Sequence, residues 1–201
     1  MKPYIIFHGL CPDGFGAAYV ASKYFQGRCI LLPQLHGQLS DFSSIPDEAV
    51  VYFFDFTPIR SALINLAART EVHLFDHHKT AEISTGDLPY TTFDMSRSGC
   101  ILAWDFFFPN TPRPTFLEYI QDGDLGNNLL ESTKEIQVAI QSYPMTIESW
   151  ETLEWTSRLD LISMGKGVLA YNSMKAEEIC KTTLRFIEIE SVSAPVVNTP
   201  V

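Results

Sequence analysis

The sequence predicts an α/β protein: a doubly wound, mostly parallel sheet with helices on both faces, followed by a helical C-terminal segment. Two observations predict it. Short runs rich in Ile, Val and Phe alternate with segments of helical spacing through the first half of the chain. The strand-like runs are also apolar on both faces, which is how strands read when helices cover each side of a parallel sheet. A composition of 46% hydrophobic and 19% charged residues is that of a folded globular chain and excludes a disordered or fibrous one.

Taken in order, "YIIFH" at 4–8 reads as a strand and "GFGAAYVASKYF" at 14–25 as a helix. "RCILLP" at 28–33 and "AVVYFF" at 49–54 read as strands. "PIRSALINLAA" at 58–68 is a helix with Pro58 suited to its first turn. "EVHLF" at 71–75 is a strand, "LPYTTF" at 88–93 a weaker one, and "SGCILAWDFFF" at 98–108 a helix. Beyond residue 130, "ESTKEIQVAIQSY" at 131–143 reads as a helix ending before Pro144. Leu161, Met164, Val168 and Tyr171 fall three, four and three apart on one face of another. The chain ends in "SVSAPVVNTPV", a β-branched, Pro-punctuated segment that reads as a lone short strand without a partner.

The formal charge of −10, from 14 Lys and Arg against 24 Asp and Glu, argues against an extensive nucleic-acid surface, whose affinity comes from many cations meeting phosphates. A phosphoester substrate stays open, because bound cations between carboxylates and ligand invert the local field. No apolar run approaches the roughly 20 residues that cross a bilayer, and "MKPYIIFHG" has too short an apolar stretch for a signal peptide, so no membrane partner and a cytoplasmic location are expected. Cys11, Cys29, Cys100 and Cys180 are widely spaced without a CxxC pair and read as reduced, mostly buried thiols rather than a disulfide framework or zinc knuckle.

In open parallel sheets ligands bind beyond the carboxyl ends of the strands. The first strand ends in "HGLCPDG" with His8 and Asp13, the third in "DFTP" with Asp55, and the fourth in "DHH" with Asp76, His77 and His78. Each alone has a bland explanation: Asp13 as a turn former or helix cap, Asp55 as the cap of the helix near Pro58. Together they are acids converging on one crevice, and acids repel unless cations hold them together. A mixed set of five or six Asp and His ligands exceeds one tetrahedral zinc and suits two metals about 3.5–4 Å apart that share a carboxylate. Imidazole among the oxygens shifts the preference from Mg²⁺ toward Mn²⁺ or another transition metal.

The stretches "FHGLCPDGFGAAY", "FFDFTP", "LFDHHKTA" and "YIQDGDLG" resemble, in this order and at these intervals, the four signature motifs of the DHH phosphoesterase superfamily. The likeness covers roughly residues 4 to 128, and "DMSRSGCILAWDFF" is similar to the helix after the DHH motif in its exopolyphosphatase-like and oligoribonuclease-like branch. The resemblance implies that His8 and Asp13 bind metal, that Asp55 bridges two ions, and that His77 is the ligand of the DHH stretch. Asp76 would stand behind it and fix an imidazole tautomer, and His78 would face the phosphate. The acid of the fourth motif is Asp122 or Asp124, with Asp122 preferred because it follows "YIQ" directly. The chain departs from the pattern at Cys11, where many relatives carry an aspartate; a thiolate there would favour Mn²⁺, Fe²⁺, Co²⁺ or Zn²⁺, and the alternative is a small packed thiol.

Arg97, just ahead of a helix start, is a candidate phosphate contact, since helix N-termini attract anions. His36 and His73 read as surface or structurally satisfied histidines, and "WDFFFP" at 104–109 as core. "GFGAAY" lacks the third glycine and the ribose-binding acid of a dinucleotide fingerprint.

The expected division is 1–130 as a DHH-type metal-binding α/β domain, 131–190 as a helical extension or linker, and 191–201 as the start of a truncated or absent second domain. The expected activity is a Mn²⁺-dependent hydrolysis of a phosphoester or phosphoanhydride by water activated between two divalent ions, with Mg²⁺ or Co²⁺ as alternatives. The expected partner is a small phosphorylated molecule: polyphosphate, a short oligonucleotide or a cyclic dinucleotide. The oligomeric state is left open, a homodimer included. The competing expectation is a catalytically degenerate metal- or nucleotide-binding module.

Overall fold

The structure is a computed structural model that describes residues 1–35, 37 and 41–199; His36 lies outside the described residues. Five strands, β1 (Tyr4–His8), β2 (Ile30–Gln34), β3 (Val50–Phe54), β4 (Glu71–Asp76) and β5 (Thr91–Phe93), form one sheet in the order β2-β1-β3-β4-β5. Every pairing is parallel. Helix α1 (Pro12–Tyr24) connects β1 to β2 on one face, while α2 (Arg60–Ala67) and α3 (Lys79–Thr85) connect β3 to β4 and β4 to β5 on the other. The order of connection therefore reverses between β1 and β3, and such a reversal opens a crevice beyond the strand ends. His8 closes β1 and Asp55 follows β3, so the sequence delivers both to that crevice.

Two apolar cores flank the sheet. On the α1 face, Ile5, Phe7, Phe54 and Phe75 meet α1, α4 (Gly99–Phe107) and α5 (Thr115–Asp124), with Tyr19, Trp104, Leu117 and Trp150 filling the layer. On the α2 face, Ile6, Val51, Phe53, Val72 and Leu74 meet Leu63 and Leu66 of α2 and Phe42 and Ile45 from the connection between β2 and β3. Alternate residues of one strand thus serve opposite faces, as the pleat requires. Trp104 and Phe107 are core as expected, whereas Phe106 at 41% exposure is not. His73 stacks on Tyr52 and meets Glu71 at 2.9 Å, a structurally satisfied histidine.

Helix α1 begins at Pro12, two residues earlier than its periodicity suggests, because proline fits a helix's first turn without losing a hydrogen bond. The end of the chain also differs from expectation. Helices α6 (Thr133–Gln141) and α7 (Ile147–Trp155) pack beside α5, and α8 (Arg158–Thr183) lies on α6 through its first turns. "SVSAPVV" is not a lone strand. β7 (Val192–Val196) pairs antiparallel with β6 (Arg185–Ile189), turning at Glu190 and Ser191, both in the left-handed region as a tight hairpin needs. Among the described residues no helix is long and apolar enough to cross a membrane. The four cysteines are unpaired, yet only Cys100 is buried and Cys180 is exposed, so the expectation of mostly buried thiols is corrected.

Candidate metal centre

Buried acids and histidines gather at the carboxyl edge of β1, β3 and β4. Asp55 follows β3 with a backbone φ of 54°, a left-handed conformation that aspartate tolerates better than most residues. Its side chain is 2% exposed. Oδ1 lies 3.2 Å from Nε2 of His77 and 3.7 Å from Nδ1 of His78. Oδ2 lies 3.5 Å from Nδ1 of His8 and has no hydrogen-bond partner. A buried carboxylate oxygen is costly to leave without a hydrogen bond, and this one has His8 in ion-pair reach, while the other oxygen faces His77 and His78.

Asp13, in the first turn of α1, is held differently. Its Oδ2 accepts from the amide of Gly99 at 2.6 Å and its Oδ1 from that of Cys100 at 2.9 Å, while the Ser98 amide goes to Gln121. The start of α4 does attract an anion, as its dipole dictates, but the anion is this chain's own carboxylate. A Cβ on Gly99 would stand 2.5 Å from that of Asp55 and 2.9 Å from Oδ2 of Asp13. A Cβ on Gly14 would meet the His8 carbonyl at 2.2 Å. Glycine at these two places lets α4 close on Asp55 and Asp13, and α1 close on the end of β1.

Three carboxylates surround Nε2 of His77: Asp55 at 3.2 Å, Asp124 at 3.4 Å and Asp13 at 3.7 Å. One imidazole proton can serve one acceptor, which leaves the other oxygens facing each other. The electrostatics record the crowding. Burial and the charge of Asp55 raise the Asp13 pKa, and burial with Asp13 lifts Asp124 to about 7. Burial alone would push Asp55 up, but His77 and His8 bring it below its ordinary value. Burial works against a charged His77, yet Asp55, Asp13 and Asp124 carry it to about 9. A cation among these oxygens would relieve the repulsion.

The ligating atoms fall into three overlapping groups, each drawn together within 4.8 Å: Asp55, Asp76, His77 and His78; His8, Cys11 and Asp55; and Asp13, His77 and Asp124. Asp55 links the first two groups, and His77 links the first to the third. The donor set, mixed imidazole and carboxylate with one thiol, suits divalent transition ions, and the Oδ2 of Asp55, which accepts no hydrogen bond, is an atom that such an ion would satisfy.

Most sequence-predicted residues therefore meet at one edge: His8, Cys11, Asp13, Asp55, Asp76, His77 and His78. Two do not. The preference for Asp122 is corrected: its carboxylate accepts from the amides of Leu129 at 2.9 Å and Leu130 at 3.0 Å and from the hydroxyl of Thr133, tying α5 to the start of α6. Asp124, two residues on and so on another side of α5, reaches the centre. Arg97 is also not presented to a phosphate. Its guanidinium is committed to Asp94 at 2.8 Å and Asp105 at 2.9 Å, and Asp105 is shared with Arg113.

Asp76 does stand behind an imidazole, but that of His78 rather than His77. Its Oδ1 meets Nδ1 of His78 at 2.7 Å and accepts the amides of His77 at 2.7 Å and His78 at 3.1 Å, and its Oδ2 accepts from Thr57 at 2.6 Å. Thr57 escaped the sequence reading, although it lies within "DFTP", two residues past Asp55. Burial, then Asp55, push the half-buried Cys11 thiol up to about 12 in the ion-free protein. Two cavities adjoin the acids. One of about 450 Å³ is lined by Thr57, Ile59, Asp76, His78 and Thr80. The other, about 180 Å³, is lined by Asp13, Gly123, Asp124, Gln137 and Gln141.

No family model matches the chain. Among curated proteins it is similar to an uncharacterized protein of Acanthamoeba polyphaga mimivirus, 29% identical over 202 residues that cover 92% of this chain and 48% of that protein. The chain thus spans about half the length of the curated relative it matches. Among solved structures it is similar to an uncharacterized protein from Helicobacter pylori, with a TM-score of 0.57 and 13% identity over 83% of this chain and 63% of that one, a likeness of fold.

Proposed function

We propose that the chain is a metal-dependent phosphoesterase of the DHH type, hydrolysing a phosphoester or phosphoanhydride with the help of two divalent ions, Mn²⁺ foremost and Mg²⁺ or Co²⁺ as alternatives. The observation that carries the reading is Asp55, whose buried carboxylate turns one oxygen to His77 at 3.2 Å and the other, which accepts no hydrogen bond, to His8 at 3.5 Å. A carboxylate shared in this way is what a two-ion centre requires.

His8, Cys11 and Asp55 would hold one ion, and Asp13, His77, Asp124 and Asp55 the other. The chemistry such ions supply when bound is Lewis acidity, which makes water a nucleophile at neutral pH and neutralises charge on phosphoryl oxygens. The protein's own part is positioning. Two amides of α4 fix Asp13, and Asp76 fixes the ring of His78 at the wall of the larger cavity, where that ring would meet the phosphoryl group. The substrate would be a small phosphorylated molecule such as polyphosphate, a short oligonucleotide or a cyclic dinucleotide. A cytoplasmic location accords with four unpaired cysteines. The second reading, a binding module without turnover, draws support from Arg97, whose charge is taken up by Asp94 and Asp105.

Elemental analysis of purified protein, paired with hydrolysis of a generic aryl phosphoester with and without Mn²⁺, tests both. About two ions per chain and Mn²⁺-dependent turnover are expected, and Asp55→Asn should lose both ions. One tightly held zinc, indifferent to that substitution, would overturn the two-ion reading. Two ions without turnover would leave the binding module.

A further inference from the structure

We infer that the two halves of the centre take different ions: the half at the end of β1, formed by His8, Cys11 and Asp55, holds a thiophilic divalent ion such as Zn²⁺, Fe²⁺ or Co²⁺ through the Cys11 sulfur, while the half formed by Asp13, His77 and Asp124 holds a harder one such as Mn²⁺. The inference rests on the two-ion reading and adds to it that sulfur enters one half only.

The donor atoms differ in kind. An imidazole nitrogen, a thiol sulfur and a carboxylate oxygen make up the first group, whereas two carboxylates and an imidazole make up the second; the group of Asp55, Asp76, His77 and His78 joins them through Asp55 and His77 and holds no sulfur. Thiolate selects zinc, iron or copper, while carboxylate suits magnesium and manganese. Three protein ligands, as in the first group, also match a zinc site that keeps a position open for chemistry rather than a closed structural one.

Geometry supports a ligand rather than a packed thiol. Cys11 sits at the N-cap of α1, where its carbonyl accepts the Phe15 amide at 2.9 Å, so the helix start fixes the backbone that carries the sulfur. The sulfur lies within 4.8 Å of ligating atoms of His8 and Asp55. The neighbouring Oδ2 of Asp55 is the independent sign: a carboxylate oxygen in a residue 2% exposed, without a hydrogen-bond partner, on the His8 side of the centre. Among the described residues, none of the other cysteines joins such a group. Cys100, the buried one, instead contacts the Ser98 hydroxyl at 3.3 Å inside the core. Ion uptake would release the thiol proton to solvent and leave a sulfur–metal bond, with no change of oxidation state.

The test is Co²⁺ titration of the full chain, stripped with a chelator and kept reduced. Wild-type protein should bind about two Co²⁺ and develop a near-ultraviolet thiolate-to-cobalt charge-transfer band from one of them. Cys11→Ser should lose the band and keep the other ion. Cys11→Asp should lose the band, keep two ions, and lower the preference for Zn²⁺ over Mn²⁺ by at least about tenfold, the scale on which even residues behind the ligands act. Two ions bound by wild type with no band, or a band that survives Cys11→Ser, would overturn the inference and leave the two-ion reading standing. Fewer than two ions in the wild type would overturn both. The wild-type spectrum decides the matter even where a variant fails to fold.

Discussion

Two phenylalanines measure the difference between the sheet and the C-terminal arm. Phe53 in β3 is fully buried against Phe42 and the α2 face, whereas Phe186 in β6 is 67% exposed on a hairpin whose strands pair with each other. The same divide runs through α8: Leu161 and Gly165 are buried where it meets α6, and Tyr171 and Met174, further on, stand exposed. Every residue of the candidate centre is carried by the first region, between His8 and Asp124. A two-stranded hairpin is marginal by itself, so the arm contributes little to the rigidity that a metal site demands. The rigidity comes from helix starts, glycine contacts and buried aromatic layers at the sheet edge.

The sharpest way to break this contrast is to truncate both rings. Phe53→Ala should cost about 3–5 kcal/mol, the usual range for a fully buried phenylalanine, and Phe186→Ala should stay within about 0.5 kcal/mol of wild type. Denaturant titration of the two variants compares them directly. Equal losses would show that the arm packs in solution as the body does.

Next in size is the point where α4 meets the acids. Gly99→Ala places a methyl group 2.5 Å from Cβ of Asp55 and 2.9 Å from Oδ2 of Asp13. Overpacking of this kind costs about 1–3 kcal/mol, and the retreat of α4 would release the two amides from Asp13. Thermal melting and ion content should fall together. A variant with wild-type melting and full ion content would remove the glycine contact from the account of the centre.

The pair Asp122 and Asp124 tests the contrast within one helix. Asp122→Ala takes the acceptor from the Leu129 and Leu130 amides and leaves the Thr133 hydroxyl only the Leu130 carbonyl, a loss of about 1–3 kcal/mol in stability. Asp124→Asn withdraws a charge from beside Asp13 and Asp55 and should leave stability unchanged or slightly raised, while weakening ion uptake on the His77 side. The reverse pattern, with Asp122→Ala stable and ion-poor, would restore Asp122 as the ligand.

What was legible in the sequence followed from periodicity and from strand ends. The five strands of the sheet and the converging His8, Asp55 and DHH residues were readable because parallel strands are apolar throughout and their carboxyl ends are fixed places. Helices α3, α5 and α7 were not read: α3 buries only Thr85 and α7 only Trp150 and Leu153, too few residues to establish a 3.6-residue period, whereas α5 carries such a period in Phe116, Leu117, Tyr119 and Ile120 and was legible only as a motif. β6 is exposed along its whole length and turns through Glu190 and Ser191 instead of the Asn-Gly that announces a hairpin. The choice between Asp122 and Asp124 needed the orientation of α5, because residues two apart on a helix do not share a face. Arg97 was misjudged for a related reason. Its partners Asp94 and Asp105 lie three and eight residues away, and only the fold brings Asp105, which Arg113 also holds, within reach of it.

The smallest expected effect concerns that arginine's nearest partner. Asp94 accepts from the Ser96 hydroxyl at 2.5 Å, the Ser96 amide at 2.8 Å and Nε of Arg97 at 2.8 Å, and these donors, Ser96 first, draw its pKa down to about 2. An unfolded aspartate titrates near 3.9. The folded value is the lower one, so the stabilisation is complete above about pH 5 and is lost as pH falls from about 4 to about 2. With the side chain 30% exposed, solvent screens the interaction, and about 0.5–1 kcal/mol is expected rather than the full linkage value. Asp94→Asn should therefore be less stable than wild type at pH 7 by that amount, and the gap should narrow at pH 3, as chemical denaturation at the two pH values would measure. A gap independent of pH would reduce Asp94 to a turn former held by neutral hydrogen bonds. The same variant sharpens the reading of Arg97: with one of its two carboxylates neutralised, the guanidinium becomes a better partner for an anion, and tighter binding of inorganic phosphate by Asp94→Asn than by wild type would mark Arg97 as a cation that this fold holds in check.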